Sequence, residues 1–150
     1  MALARSRSVV FTNVNHQSRG LKMSAMSDYL ENKVLDHVLG TTSYTMPSQV
    51  YLGLSTGSFA DDNSGTELSG SGYARVAADF SAAASGTTDN SAAIEFSAAT
   101  GSWGSVSHFG LFDAASGGNL LIHGAFTTAK TIASGDILKV PAGDLDVTAA

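Results

Sequence analysis

The side chains of this sequence that could do chemistry are few and scattered. Four histidines, His16, His37, His108 and His123, accompany thirteen Asp and Glu residues and no cysteine. Without a thiol, disulfide frameworks, thiolate zinc sites and cysteine nucleophiles are excluded. His108 and His123 could face one another across a hairpin whose loop centres near Gly117, with Asp113 close by, and imidazole and carboxylate are metal ligands. No further ligand is forced into the neighbourhood, so the expected role of these histidines is hydrogen bonding within or between subunits. Asp61, Asp62, Asn63 and Glu67 offer oxygen donors, but not at the twelve-residue spacing of an EF-hand, and read as a solvated acidic loop. The abundant serines are expected to carry no nucleophile, and the Gly-Ser run at residues 69–72 lacks the lysine and following helix of a phosphate loop. The chemistry therefore points to a protein that is not an enzyme and needs no cofactor or metal.

The elements that would position these residues are mostly strands. One helix is expected over 28–39. Asp28 with Glu31 three residues later forms an acidic capping box, Ser27 is an alternative cap, and Gly40 supplies a left-handed stop. Leu30, Val34, Leu35 and Val38 recur at helical spacing, giving an apolar stripe that must dock on the body or on another subunit, because so short a helix is marginal in water.

Beyond Gly40 the period falls to two. Residues 49–55, 73–80, 92–96, 106–112, 120–126, 131–133, 136–140 and 145–148 read as strands separated by Gly/Ser turns. Residues 56–72 read as an exposed polar loop, 85–90 as a turn and 114–119 as a hairpin connection. Short, evenly spaced strands predict a mainly β fold, an antiparallel sandwich or small barrel of jelly-roll or immunoglobulin-like type, with the helix as an appendage. Two readings of Trp103 stand side by side: a core indole at a sandwich end, and an interface anchor. Tyr44, Tyr51, Tyr73 and Trp103 together could line a small ligand cleft.

Charge divides the chain. Of 150 residues only 14% are charged, against about a quarter in typical soluble domains, which lowers repulsion between copies. Residues 1–33 hold five basic and two acidic side chains, net +3, whereas residues 34–150 hold three basic and eleven acidic ones, net −8. The basic side chains Arg5, Arg7, Arg19 and Lys22 fall in residues 1–26, read as a basic arm that is flexible or ordered by a partner, ahead of a single domain over 27–150. Scattered cations without interleaved aromatics are a thin footprint for nucleic acid. No stretch is long and apolar enough to span a bilayer, so no membrane partner is expected. The candidate partner-binding residues are accordingly Arg5, Arg7, Arg19, Lys22, Leu30, Val34, Val38 and Trp103.

The most distinctive string is WGSVSHFGLFDAASGGNLLIHGA over residues 103–125, followed by Lys130-Thr131-Ile132 and by GDILKVPAGDLDV over 135–147. With Tyr29-Leu30-Glu31-Asn32-Lys33, Val50-Tyr51-Leu52-Gly53-Leu54 and Gly72-Tyr73-Ala74-Arg75, it resembles a family of small tailed-bacteriophage structural proteins, over about residues 27–148. Members of that family carry tail-fibre labels or look like capsid cement (decoration) proteins. The resemblance implies a virion component made in the host cytoplasm, with no catalytic residues to carry over. It implies a cement protein on the outer capsid surface, bound to the major capsid protein and to itself as a homotrimer, or alternatively a tail or head fibre that meets the host surface. The absence of sequence repeats and of a heptad shaft favours cement at this stage.

Overall fold

The computed structural model of the chain describes residues 8–10 and 21–149. Ten strands and one helix follow one another in it. The strands are β1 (Ser8–Val10), β2 (Leu21–Met26), β3 (Val50–Ser55), β4 (Val76–Ala78), β5 (Thr87–Asp89), β6 (Ile94–Glu95), β7 (Gly104–Phe112), β8 (Leu120–Ile132), β9 (Ile137–Val140) and β10 (Asp146–Thr148). The helix α1 (Asp28–Val38) stands between β2 and β3. A five-stranded antiparallel sheet has the order β2-β8-β7-β3-β4. A three-stranded sheet runs β1-β9-β6, and β10 with β5 makes a two-stranded ribbon. The fold is the mainly β, antiparallel sandwich that the period-two pattern predicts. It is open at β2 and β4 and is not a closed barrel.

The core lies where the small sheets cover the large one. Leu52 and Leu54 of β3, Val106, Phe109 and Leu111 of β7, Ile132 of β8, Leu138 and Val140 of β9, and Ile94, Phe96, Leu145 and Val147 form one buried cluster. Alternation explains it: side chains two apart share a sheet face, so Val50, Leu52 and Leu54 all point inward. Trp103 joins this cluster at 5% exposure, edge-on to Tyr73 and Phe96, with its indole N–H donated to the Ser71 carbonyl at 2.9 Å. The interface-anchor reading of Trp103 is thereby corrected: the ring fills the core, and its one polar atom is satisfied inside it. Tyr73 stacks on Phe96 in the same cluster, so the proposed cleft of Tyr44, Tyr51, Tyr73 and Trp103 does not form.

Four elements differ from the sequence expectation. Ser8–Val10, assigned to the arm, is a strand parallel to β9. Leu21–Met26, assigned to the arm, is a strand of the large sheet, antiparallel to β8 with a bulge between Lys22 and Ala25. Thr87–Asp89, read as part of a turn, pairs antiparallel with β10; its polar residues carry no period-two signal, and only the partner strand reveals it. Residues 56–72, read as an exposed loop, pack on the outer face of the large sheet and bury Phe59 against Phe112 and Leu120.

This outer cluster depends on missing side chains. Gly53 and Gly110 face each other across β3 and β7, and a Cβ on either would sit 2.8 Å from the Phe112 ring. The glycine pair therefore makes the seat in which Phe112 lies. Arg75 roofs it, its guanidinium carbon 3.4 Å from the ring centroid. That guanidinium donates from Nε and Nη2 to Glu67 at 2.8 and 2.7 Å, and from Nη1 to the carbonyls of Ala114 and Gly117, both at 2.8 Å. One cation thus ties the 56–72 segment and the β7–β8 hairpin loop to the sheet.

The same segment protects the open end of β3. Beyond β4, the Leu54 carbonyl accepts from the Leu68 N–H at 2.9 Å, and the Leu54 N–H donates to the Tyr73 hydroxyl at 2.8 Å. The Tyr73 hydroxyl in turn donates to Glu67 at 2.6 Å. Burial, reinforced by this bond to a carboxylate, pushes the Tyr73 phenol well above its ordinary value of 10.0, an effect only partly offset by the Leu54 N–H. Above about pH 10 the unfolded chain loses a proton that the native chain retains, so this contribution to stability is complete below pH 10 and declines as pH rises past it. Urea midpoints of the wild type should therefore fall more steeply above about pH 10 than those of Tyr73→Phe. Parallel slopes for the two proteins would refute the coupling.

Candidate assembly interface

Local signals fix where the helix begins and ends. Ser27 is the N-cap: its Oγ accepts from the Leu30 N–H at 3.3 Å, and its hydroxyl donates to the Leu120 carbonyl of β8. The Asp28–Glu31 capping box gives way to Ser27 because position 27 is buried against β8, where a small hydroxyl fits and a carboxylate does not. Asp28 and Glu31 remain in the first turn, favourably placed for the helix dipole. The Ser27 N–H bonds to the Leu121 carbonyl and the Asp28 N–H to the Asp61 carbonyl, so the N-terminus is pinned to the body. At the other end Leu39 is the C-cap and Gly40 takes φ +79°, as the sequence predicts. The turn closes as Thr41 donates to the Asp36 carboxylate at 2.9 Å.

Between these anchored ends the helix buries no residue. Val34 is 37% exposed, Leu35 56%, Val38 72%, Leu39 74% and, in the following segment, Met46 80%. Residues 34 and 38, and 35 and 39, are each four apart, so they form two adjacent rows on one helix face. Leu30, one turn before Val34, is half-buried and lines an apolar groove of ≈160 Å³ with Val50, Phe80, Leu111, Ile122 and Val147 among its walls. The stripe thus begins in a groove at the mouth of the sandwich and runs out into solvent. Glu31 and His37 are exposed beside it, Asp36 is half-buried, and Lys33 lies over the Tyr29 ring at 5.6 Å. An apolar face with a charged margin is the composition of a protein–protein contact.

The candidate residues separate accordingly. Leu30, Val34 and Val38 come together on this face, while Trp103 is in the core. Lys22 stands in β2 opposite Ala125, and Arg5, Arg7 and Arg19 lie outside the described residues. Leu39 extends the face, Met46 is a further exposed apolar residue after the helix, and neither was singled out by sequence. Leu39 follows the last helical turn, and Met46 is isolated among polar residues, where no periodicity marks it.

The chemistry considered from sequence is dispersed. His108 pairs with Ala125 and His123 with Gly110, so the two rings are not opposed across the hairpin. His123 meets Asp61 at 2.7 Å, holding the 56–72 segment to β8, while Glu67 is engaged by Arg75. Among the described residues no three His, Asp or Glu side chains gather as a metal-binding set. The expectation that no serine sits in a hydrolase nucleophile-elbow motif is wrong as to the string, since Gly53-Leu54-Ser55-Thr56-Gly57 has that spacing. Ser55 is 1% exposed, donates its hydroxyl to the Thr66 carbonyl at 2.6 Å, and is followed by a loop in place of the helix such an elbow requires. Among the described residues no helix is long and apolar enough to cross a membrane.

The chain is thus a small β-sandwich with an anchored helix whose apolar face is exposed. The family described as Podophage GP4 fiber I protein gp80 matches residues 25–148, and the chain belongs to that family. It is a bacteriophage structural protein. No curated protein matches it.

Proposed function

We propose that this chain is a fibre subunit of a phage virion, structural and not enzymatic, which assembles with copies of itself through the α1 face. The observation that carries self-association is the exposed double row Val34/Val38 and Leu35/Leu39. Leaving so many large apolar side chains in water forfeits roughly 25 cal/mol for each Å² that a partner would cover. The family description supports the fibre role. Capsid cement is the second reading, supported by the chain's charge pattern: four bases and no acid in residues 1–22, ahead of an acidic body suited to lie on a shell. A trimer is the expected assembly in either role, with light scattering returning three times the 15.3 kDa chain mass.

Counting copies per particle against the major capsid protein, by quantitative mass spectrometry, separates the two. A fibre subunit is present in few copies, and its deletion abolishes adsorption while heads stay intact. A ratio near one to one, with heads that lose their genome on mild heating after deletion, would overturn the fibre role and establish cement.

A further inference from the structure

A cavity of ≈330 Å³ opens where the first turn of α1, the 56–72 segment and the end of the β7–β8 hairpin meet. It is lined by Asp28 and Tyr29 of the helix, by Asp61, Asp62 and Asn63, and by Asn119 beside Leu120. These groups come from three stretches far apart in the chain, and contacts within the body hold them. Asp61 meets His123 at 2.7 Å, and its carbonyl accepts from the Asp28 N–H at 3.1 Å. Asn119 donates from its side-chain amide to Asp113 at 2.7 Å. The Asn63 N–H donates to the Ala60 carbonyl at 2.9 Å, and its backbone turns at φ +62°. The volume lies at the lower end of the range for ligand cavities, about 300–1,000 Å³, and suits a single ring.

The lining chemistry narrows the occupant. Three carboxylates repel an anion. The helix amides that could attract one are already engaged, the Asp28 N–H by the Asp61 carbonyl and the Leu30 N–H by Ser27 Oγ. No set of three metal-binding side chains gathers among the described residues. An apolar molecule would strip water from carboxylates and amides and return no hydrogen bond. An organic ammonium would find Asp61 already facing His123, and Asp28 already at the positive end of the helix dipole. It also carries donors alone, and so offers no acceptor to the side-chain N–H groups of Asn63. A sugar ring answers each wall. Its hydroxyls donate to the carboxylates and exchange hydrogen bonds in both directions with the amides, while its C–H face suits the Tyr29 ring and Leu120.

We infer that this cavity binds one hexopyranose ring of a neutral saccharide, with Tyr29 and Leu120 against the ring and Asp28, Asp62, Asn63 and Asn119 on its hydroxyls. The site uses none of the Val34–Leu39 side chains, so it goes beyond the assembly role and does not depend on it.

The probes are the methyl glycosides of glucose, galactose, mannose and N-acetylglucosamine, with methylammonium chloride as the cationic comparison. Each is titrated into the isotope-labelled full-length chain while the backbone and side-chain amide resonances are followed. At least one glycoside should shift the Asn63 and Asn119 side-chain amides to saturation. The expected dissociation constant is on the order of 1 mM, the range open to a small ligand on a few partly exposed hydrogen bonds. Asn63→Gly keeps the positive φ and removes the amide, and Tyr29→Ala removes the ring. Each should weaken that binding by about tenfold while the resonances of the β-sheet stay in place. No saturable shift from any of the glycosides would overturn the site. Shifts from methylammonium alone would mark a cation pocket and overturn it as well. Glycoside shifts that survive both substitutions unchanged would place the sugar elsewhere, with the same consequence.

Discussion

Arg75→Ala should lower the unfolding free energy by about 3 kcal/mol, the scale on which removing one partner of a buried ion pair destabilises a protein. The guanidinium is 8% exposed and its partner Glu67 22%, so truncation leaves a carboxylate largely shielded from water and without its counter-charge. It also strips the carbonyls of Ala114 and Gly117 of their donor and uncovers the Phe112 ring. For a domain of this size the loss corresponds to roughly 6–12 °C in melting temperature. Arg75→Lys should recover only part of it, since an ammonium cannot hold Glu67 with two parallel bonds while lying flat on a ring. A denaturant titration of Arg75→Ala, Glu67→Gln and the double variant checks the mechanism: Glu67→Gln should cost clearly less in the Arg75→Ala background than alone. A loss below about 1 kcal/mol for Arg75→Ala, or strictly additive single changes, would mean that the cation does not hold these segments.

The second large effect concerns assembly and leaves folding alone. Val38→Lys with Leu39→Lys places two cations on the apolar face at the C-terminal end of α1, where positive charge suits the helix dipole. Both positions are more than 70% exposed in the single chain, so the melting temperature measured at high dilution should hold, each change costing within about 0.5 kcal/mol. The oligomer should weaken at least about 100-fold in dissociation constant, because each buried ammonium must shed its water without a counter-charge. A light-scattering dilution series on wild type and variant measures this. An unchanged dissociation constant would remove α1 from the interface, and a large drop in melting temperature at high dilution would mean that the helix packs on its own body. The sequence alone leaves both the body and another subunit open as the stripe's partner. With α1 burying no residue, Val34→Asp belongs with the assembly variants.

Much of the architecture is legible from local pattern. The helix stop is set by Gly40, whose preference for positive φ acts within a turn of itself, and its start is narrowed to Ser27 or Asp28. Strand β9 announces itself by alternation, β3 by its inward row Val50, Leu52 and Leu54, and β7 by large apolar groups on both faces, because it is covered twice. The hairpin between β7 and β8 follows from Gly117 and Gly118, which take φ of +62° and +70° where a side chain would be strained. Where pairing alone makes the strand, pattern fails. Thr87–Asp89 is polar throughout and exists as a strand only beside β10. The later part of β8 runs on to Ile132, past the expected end at residue 126, through residues that are largely exposed and carry no alternation. Phe59 looked like one apolar residue in a polar loop, because its partners Phe112 and Leu120 are more than fifty residues away.

The sequence by itself determined the class of fold, the position and C-terminal stop of the helix, the scarcity of chemistry and the separation of a basic start from an acidic body. These follow from composition and from interactions spanning a few residues. Only the tertiary structure decided that Trp103 belongs to the core, that Arg75 closes an outer cluster over the Gly53–Gly110 pair, and that the helix stripe faces solvent. An amphipathic stripe states that a face must be covered. What covers it depends on where the chain ends of the helix are tied, and those ties, Ser27 to Leu120 and Asp28 to Asp61, are made with residues far along the chain.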